Sequence, residues 1–291
     1  MTTLVSVVTV TYNHEPFIAR CIEGVLMQKV NFPIEFIIAE DCSTDGTRTI
    51  CQMYAEKHPD LIHLITSECN VGANANEFRA LQEAKGKYIA YCEGDDFWTD
   101  QMKLQRQVDF LESHPDYSVC FHRCQHWDME ADSYRDDQSG DLFCDGDSGV
   151  DLSIDMFFGK WITQPLTMVF RKEAFDMSLY GQYRYYRDMH QIYHLLKKGK
   201  GYIFSFAGGI RTVHSGGMAS TLDVVSQCRN GVMIAAELYE RNKDQYTKKY
   251  YAEVLQWYLY NVDDLGSKIK YSFVLFSLTW DFKGLIKNLL R

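Results

Sequence analysis

The chain has 291 residues, 46% hydrophobic and 24% charged, with a formal net charge of −9. That length suits one large domain with an appendage, and the composition is that of a globular protein in water. The acidic balance excludes a nucleic-acid groove, which needs clustered Lys and Arg, but leaves room for a small anionic ligand bridged by a metal.

The N-terminal MTTLVSVVTVTYN lacks the basic segment and small-residue cleavage site of a signal peptide. A strand pattern covers Leu4 to Val10, followed by a helical pattern from Phe17 to Gln28, a strand from Ile34 to Ala39, a helix from Thr47 to Lys57 and a strand from Leu61 to Thr66. A helix from Asn74 to Ala84 stops at Gly86, the strand Tyr88 to Cys92 follows, and apolar Leu104, Val108 and Leu111 mark one face of a helix from about Asp100 to Ser113. Strand and helix units in this order predict an α/β fold with a mainly parallel sheet, helices on both faces and right-handed crossovers.

From Asp128 to Asp151 the periodicity lapses into an acidic segment, read as a mobile solvated loop. Its ligand order does not match a calcium-binding loop. Beyond Ser220 long helices are expected, with Tyr251, Val254, Tyr258, Val262 and Leu265 at helical intervals. Residues 268–291 mix Phe273, Phe276, Trp280, Phe282, Leu285 and Leu289 with Lys268, Lys270, Lys283, Lys287 and Arg291. That basic amphipathic stretch suits either a membrane interface or packing on protein. The expected division is a catalytic domain at residues 1–217 and a helical extension at 218–291.

Nine Cys without small-scaffold spacing point to a reducing, cytoplasmic setting, and no apolar run is long enough to span a bilayer. CFHRCQH at residues 120–126 has metal-binding residue types, yet strand alternation sends Cys120, His122, Cys124 and His126 to one face with no second ligand pair, so zinc is disfavoured.

Four expected strand ends turn polar together. Tyr12, in Thr11–Tyr12–Asn13, offers a flat face for a base, and no GxGxxG follows the first strand, which argues against a dinucleotide on a glycine loop. EDCSTDGT at residues 40–47 places Asp41 where an acid commonly accepts hydrogen bonds from a nucleoside. CNVG at residues 69–72 offers Asn70 and Gly72 for a tight loop. The run YIAYCEGDDFW ends an apolar strand in Glu93, Asp95 and Asp96. Carboxylates this close repel one another, a cost relieved by a divalent cation or by ligand donors.

With these motifs in this order, VSVVTVTYNHE at residues 5–15, EDCSTDGT, NVG, and YIAYCEGDDFW with its following KLQRQ, the chain resembles family 2 of the glycosyltransferases over residues 4 to about 215. These are inverting, nucleotide-sugar-dependent enzymes of GT-A fold. The resemblance implies that Thr11, Tyr12, Asn13, Glu15, Asp41, Asn70, Gly72, Glu93 and Asp95 line a nucleotide, with a uracil-like base held by Tyr12 and Asp41. It also implies that Asp96 and Asp95, with His214 of IRTVHSGG, lie at Mg²⁺ or Mn²⁺ on the diphosphate, and that Gly216 and Gly217 let a lid close. Glu93 stands where the commoner motif has Asp. The acids at 41, 95 and 96 are expected to converge on one cation-bridged pyrophosphate.

By the same resemblance Asp188, in YYRDMHQIYHLL, is the general base. Gln164 and Thr167, polar within the otherwise apolar strand WITQPLTMVF, and Tyr183 and Tyr185, taken as exposed tyrosines of the aromatic run YGQYRYY, are read as acceptor contacts. The expected partners are a nucleotide sugar, UDP-linked by the resemblance, and a glycan or lipid-linked acceptor, with peripheral membrane contact through residues 268–291. A nucleotidyltransferase, or a protein that binds a nucleotide sugar without turning it over, is the alternative.

Overall fold

The computed structural model describes residues 3–144, 146–160, 162–217 and 223–290. Asp145, Trp161, Ser220 and Arg291, each part of a segment singled out in the sequence, lie outside them, as does residue 218, where the extension was expected to begin. The side chains of Phe282 and Leu289 lie outside as well.

Strands β1 (Val5–Thr11), β2 (Ile34–Glu40), β3 (Ile62–Thr66) and β4 (Tyr88–Tyr91) alternate with helices α1 (Ile18–Leu26), α2 (Thr47–Lys57) and α3 (Ala73–Glu83). All three pairings among these strands are parallel, in the order β3-β2-β1-β4. Such strands need cover on both faces. Val5, Val7, Phe36, Ile38, Tyr88 and Ala90 supply one side of the core, against Ile18, Ile22 and Val25 of α1.

The second half is mixed. After β5 (Phe97–Trp98), α4 (Lys103–Ser113) and β6 (Tyr117–Asp128) come β7 (Ser133–Asp136), β8 (Gly149–Leu152), α5 (Ile154–Gly159), β9 (Val169–Arg171), α6 (Leu179–Gln182), α7 (Asp188–Lys198) and β10 (Lys200–Val213). The short β9 runs antiparallel between β4 and β6, and β10 lies parallel to β6 while pairing β5 and β8 antiparallel. The expected helix from Asp100 begins at Lys103, because the Asp100 carboxylate accepts from the Met102 N–H at 2.8 Å and so turns the chain first.

Three expectations need correction. The acidic segment 128–151 is not simply loop: β7 folds back on β6, with Tyr134 stacked on Trp127 at 6.1 Å, and β8 pairs β10. Its strands gave no apolar signal because β7 is exposed along its whole length. Gln164 and Thr167 sit in a 3₁₀ turn and not in a strand, since Pro165 cannot donate to a ladder. The apolar series through Tyr258, Val262 and Leu265 spans two helices, as Asp264 caps a new one.

By compactness the chain forms one unit of the residues up to Tyr180 with Arg187–His214, and another of Gly181–Tyr186 with the chain from Ser215. The second contains α8 (Val224–Asn242), α9 (Gln245–Asn261), α10 (Leu265–Thr279) and α11 (Phe282–Leu290). Asp223, Asp244 and Asp264 each accept from the backbone N–H three residues on and so start α8, α9 and α10. Cys228, Val232, Leu255, Tyr258, Leu275 and Leu278 form its core. Among the described residues no helix is long and apolar enough to cross a membrane.

Candidate active site

The turn after β4 gathers acids because the parallel strands bring their C-terminal ends to one sheet edge. Gly94 lets this turn pass close to β1: a Cβ there would come within 2.6 Å of Thr11 Oγ1 and 2.7 Å of His14 Nδ1. Asp96 is 4% exposed, and its Oδ1 accepts from the Thr212 N–H of β10 at 2.8 Å. Burial, then the charges of Asp95 and Glu93, push its carboxyl well above the usual range. Glu93 is pushed up to about 8 by burial and by Asp95, Asp188 and Glu77, with Arg211 opposing.

Asp95 behaves differently. Burial pushes its carboxyl up, but the hydrogen bond to His214 and the neighbouring His14 outweigh this and leave it below the usual value. His214 Nε2 lies 3.3 Å from Asp95 Oδ2. The His214 ring rests on Phe17 at 4.6 Å and meets His14 edge-on at 6.4 Å. Burial lowers the His14 pKa, with Asp95 opposing and His214 reinforcing it. An acid from β4 and an imidazole from the end of β10 are thus held side by side.

Asp188 opens the first turn of α7, where its Oδ1 accepts from the Met189 N–H at 2.9 Å. Burial raises its pKa against the pull of that N–H, Arg187 and Arg211. Its field reaches both Glu93 and Glu77. Tyr91 and Tyr180 hydrogen-bond the Glu77 carboxyl, which burial pushes up, and Tyr91 accepts from Gln191 of α7 at 3.0 Å. Four carboxyls, Glu77 within α3, Glu93 and Asp96 after β4, and Asp188 at the start of α7, therefore have raised pKa values, and Arg211 offsets three of them. Sequence reading assigned no role to His14, Glu77, Tyr91, Gln191 or Arg211. His14 and Arg211 stood inside the quoted motifs, whereas nothing in linear order marks Glu77 or Gln191 as neighbours of Tyr91.

The other corner of the edge is internally braced. Asp41 is 2% exposed, and its carboxylate accepts from the N–H groups of Val71 at 2.8 Å and Gly72 at 2.9 Å and from the Ser67 hydroxyl at 3.1 Å. Asn70 Oδ1 accepts from the Gly72 N–H too, at 3.0 Å, and Gly72 has φ +87°. Asn13 Oδ1 accepts from Thr44 N at 2.8 Å and Glu15 Oε2 from Gly46 N at 2.9 Å, so both side chains hold the 43–47 loop. Thr11, 2% exposed, contacts His14 Nδ1 at 3.2 Å. Tyr12 presents an exposed aromatic surface here, at 40%.

Asp41 follows β2 while Asp95 and Asp96 follow β4, with β1 between them. The two places thus lie beyond the ends of strands on either side of β1. Asp41 holds the 70–72 loop, and its oxygens are used in doing so.

Of the residues read as acceptor contacts, Thr167 is 1% exposed and donates to the Gln164 carbonyl at 2.8 Å, so its hydroxyl serves its own turn. Tyr183 is not an exposed platform. It is 5% exposed, its hydroxyl accepts from Asn242 at 2.9 Å, and the Arg241 guanidinium lies 5.3 Å over its ring. Tyr185 is half-buried, with its N–H donating to Glu237 at 3.0 Å, and Gln164 is 8% exposed.

Among the described residues no three His, Cys, Asp or Glu side chains form a ready metal cage. Of the adjacent pair, the Asp95 carboxylate is the donor type that fits Mg²⁺ or Mn²⁺, hard ions that commonly take one or two carboxylates and complete their shell with water and substrate phosphate.

Residues 6–205 match the model of glycosyl transferase family 2. Uncharacterized protein Rv1520 of Mycobacterium tuberculosis is 38% identical over 168 residues, covering 58% of this chain and 47% of that protein. The Escherichia coli UDP-Glc:alpha-D-GlcNAc-diphosphoundecaprenol beta-1,3-glucosyltransferase WfaP is 34% identical over 110 residues, covering 38% and 42%. The chain thus spans less than half the length of these curated relatives. S. aureus TarS 1-349, solved in complex with UDP-GlcNAc, superposes with TM-score 0.66 at 18% identity over 99% of this chain and 89% of that one, a likeness of GT-A fold.

Proposed function

Because the chain belongs to glycosyl transferase family 2, we propose that it moves a sugar from a nucleoside diphosphate, UDP, to a hydroxyl of a glycan or lipid-linked acceptor with inversion at the anomeric carbon. The observation that carries this reading is the meeting of the Glu93, Asp95 and Asp96 turn with Asp188 and His214 at one sheet edge. Asp188 takes the proton of the acceptor hydroxyl as that oxygen attacks the anomeric carbon, and the bond to the diphosphate breaks on the opposite face. Its raised pKa brings it closer to neutral pH and makes it a stronger base than an ordinary carboxylate, help typically worth ~10² to 10⁴-fold.

Asp95 and His214 would hold Mg²⁺ or Mn²⁺, with Asp96 nearby fixing the turn through Thr212. When bound, the ion neutralises charge on the leaving diphosphate. Tyr12 provides the face on which the base stacks. Asp41 with Asn70 and Gly72, and Asn13 with Glu15, shape the two loops beside it, while Thr11 seats the turn through Gly94. Gln164 and Tyr185 are kept for the acceptor, and Thr167 and Tyr183 are given packing roles. The catalytic domain is assigned to residues 1–217 and the helical extension to 218–291, in a cytoplasmic protein. UDP rests on the resemblance, and both WfaP and TarS carry a UDP-linked sugar in their descriptions.

Incubation of the protein with a panel of nucleotide sugars and Mn²⁺, with nucleoside diphosphate release as readout, tests the reading. Release that depends on a UDP-sugar and on Asp188 supports it. Pyrophosphate release from a nucleoside triphosphate would replace it with nucleotidyl transfer, and binding without release would make the protein a carrier.

A further inference from the structure

One surface outside the catalytic edge has no role in that chemistry. On α10, Leu265, Ile269, Phe273 and the capping Trp280 are 63%, 42%, 54% and 77% exposed. At ~100° per residue they fall within about 80° of the helix circumference, away from Leu275 and Leu278, which are 7% and 9% exposed in the helical unit, while buried Ser272 marks one edge of the stripe. Four large apolar side chains aligned on one helix form a contiguous patch.

Charge fixes what covers it. By the same rotation Lys268 and Lys270 fall on opposite sides of the stripe, each about 60° beyond its edge. The sequence of α10, LGSKIKYSFVLFSLT, contains these two lysines and no acid. The acids near its ends are Asp263 and Asp264 before it and Asp281 after it, so four lysines stand against three acids over residues 263–290; Asp264 accepts from Ser267 N at 2.7 Å and Asp281 from Gly284 N at 3.0 Å, each starting a helix. Exposed Lys283 and Lys287 follow on α11. In a chain of net charge −9 this is a local reversal of sign around an apolar stripe. Lysines that flank an apolar face on both sides can lay their stems along it and keep their ammonium groups at the headgroup level.

We propose that α10, with the lysines of α11, docks on an anionic phospholipid surface, with Leu265, Ile269, Phe273 and Trp280 entering the headgroup boundary and Lys268, Lys270, Lys283 and Lys287 facing lipid phosphates. The helix lies on the bilayer and does not span it. The surface goes beyond the transfer reaction and stands on the helical unit alone, so either can fail without the other.

Co-sedimentation of the full chain tests it, with vesicles of phosphatidylcholine alone or mixed with phosphatidylglycerol. Preference for the anionic vesicles is expected, at about fivefold per engaged lysine, and it weakens as salt rises. Phe273→Ser with Trp280→Ser should reduce binding by roughly tenfold or more, and Lys270→Glu with Lys283→Glu should abolish the preference. These positions are exposed, and circular dichroism checks that each variant keeps its helices. A blue shift of tryptophan emission on vesicle addition, lost in Trp280→Phe, places that ring in the interface. Equal binding to both vesicle types, no binding, or binding unmoved by both double variants overturns the proposal. So does a dimer in solution that Phe273→Ser with Trp280→Ser dissociates, which makes the stripe a contact between copies.

Discussion

Gln191 donates from Nε2 to the phenol oxygen of Tyr91 at 3.0 Å, joining side chains 100 positions apart. Tyr91 in turn hydrogen-bonds Glu77, so one phenol ties the helix that begins with Asp188 to the strand that leads into Glu93. Tyr91→Phe strands a buried amide N–H and removes a partner of Glu77. A loss of about 1–3 kcal/mol in urea unfolding is expected, together with a lower kcat at unchanged donor KM. An unshifted urea midpoint would show that the contact contributes nothing.

Asp188→Asn keeps the shape of the α7 first turn and removes the basic oxygen. The expected result is a fall in kcat of ~10² to 10⁴-fold with donor affinity retained. Near-normal turnover by a folded variant would require another acid as base.

Asp95 and His214, 3.3 Å apart, are the pair proposed for the cation. His214→Ala should weaken the Mn²⁺-dependent affinity for UDP by about 10 to 100-fold, read as heat in a calorimetric titration, and a chelator should abolish the same heat. Identical binding with and without Mn²⁺ would remove the metal from the reading.

Asp41 accepts three hydrogen bonds from the 67–72 segment, two of them from backbone N–H groups. Asp41→Ala leaves those donors unpaired and should cost on the order of 2–3 kcal/mol of stability, with a parallel loss of UDP affinity. Lost affinity at full stability would instead indicate direct contact between Asp41 and the nucleotide.

Lys103 is fully buried, with Nζ 3.7 Å from the centre of the Trp98 ring and no hydrogen-bond partner among the described residues. Burial lowers its pKa to about 7, from 10.5 in the unfolded chain. Between those values the unfolded state binds more protons, so this residue makes stability rise with pH from about 7 to about 10.5, by up to ~1.4 kcal/mol per pH unit. Below pH 7 the burial penalty is fully present. Lys103→Met should raise stability at neutral pH and flatten that slope in denaturation measured across the range. An unchanged slope would place the proton elsewhere.

Much of the N-terminal half was legible because each element there carries its own signal. The continuous apolar runs of β1, β2 and β4 come from burial on both faces, and α2 spans Thr47–Lys57 as its pattern predicts. The second half was less legible. β7 and β8 are short and partly or fully exposed, so they show little apolar pattern, and β9 contributes three residues to a sheet whose hydrogen bonds come from distant strands. Tyr183 read as an exposed aromatic because sequence cannot show that Asn242 and Arg241 pack against it.

Local chemistry alone was enough to place Glu93, Asp95 and Asp96 at a strand end, Asp188 at a helix start and a basic apolar tail in an acidic chain, since composition and periodicity act over a few residues. Only tertiary structure decided that His214 reaches Asp95, that Glu77 and Gln191 meet at Tyr91, and that Asp41 holds the loop after the neighbouring strand β3. Those relationships depend on strand order and register, which arise from contacts between residues far apart in the chain and leave no trace in their linear neighbours.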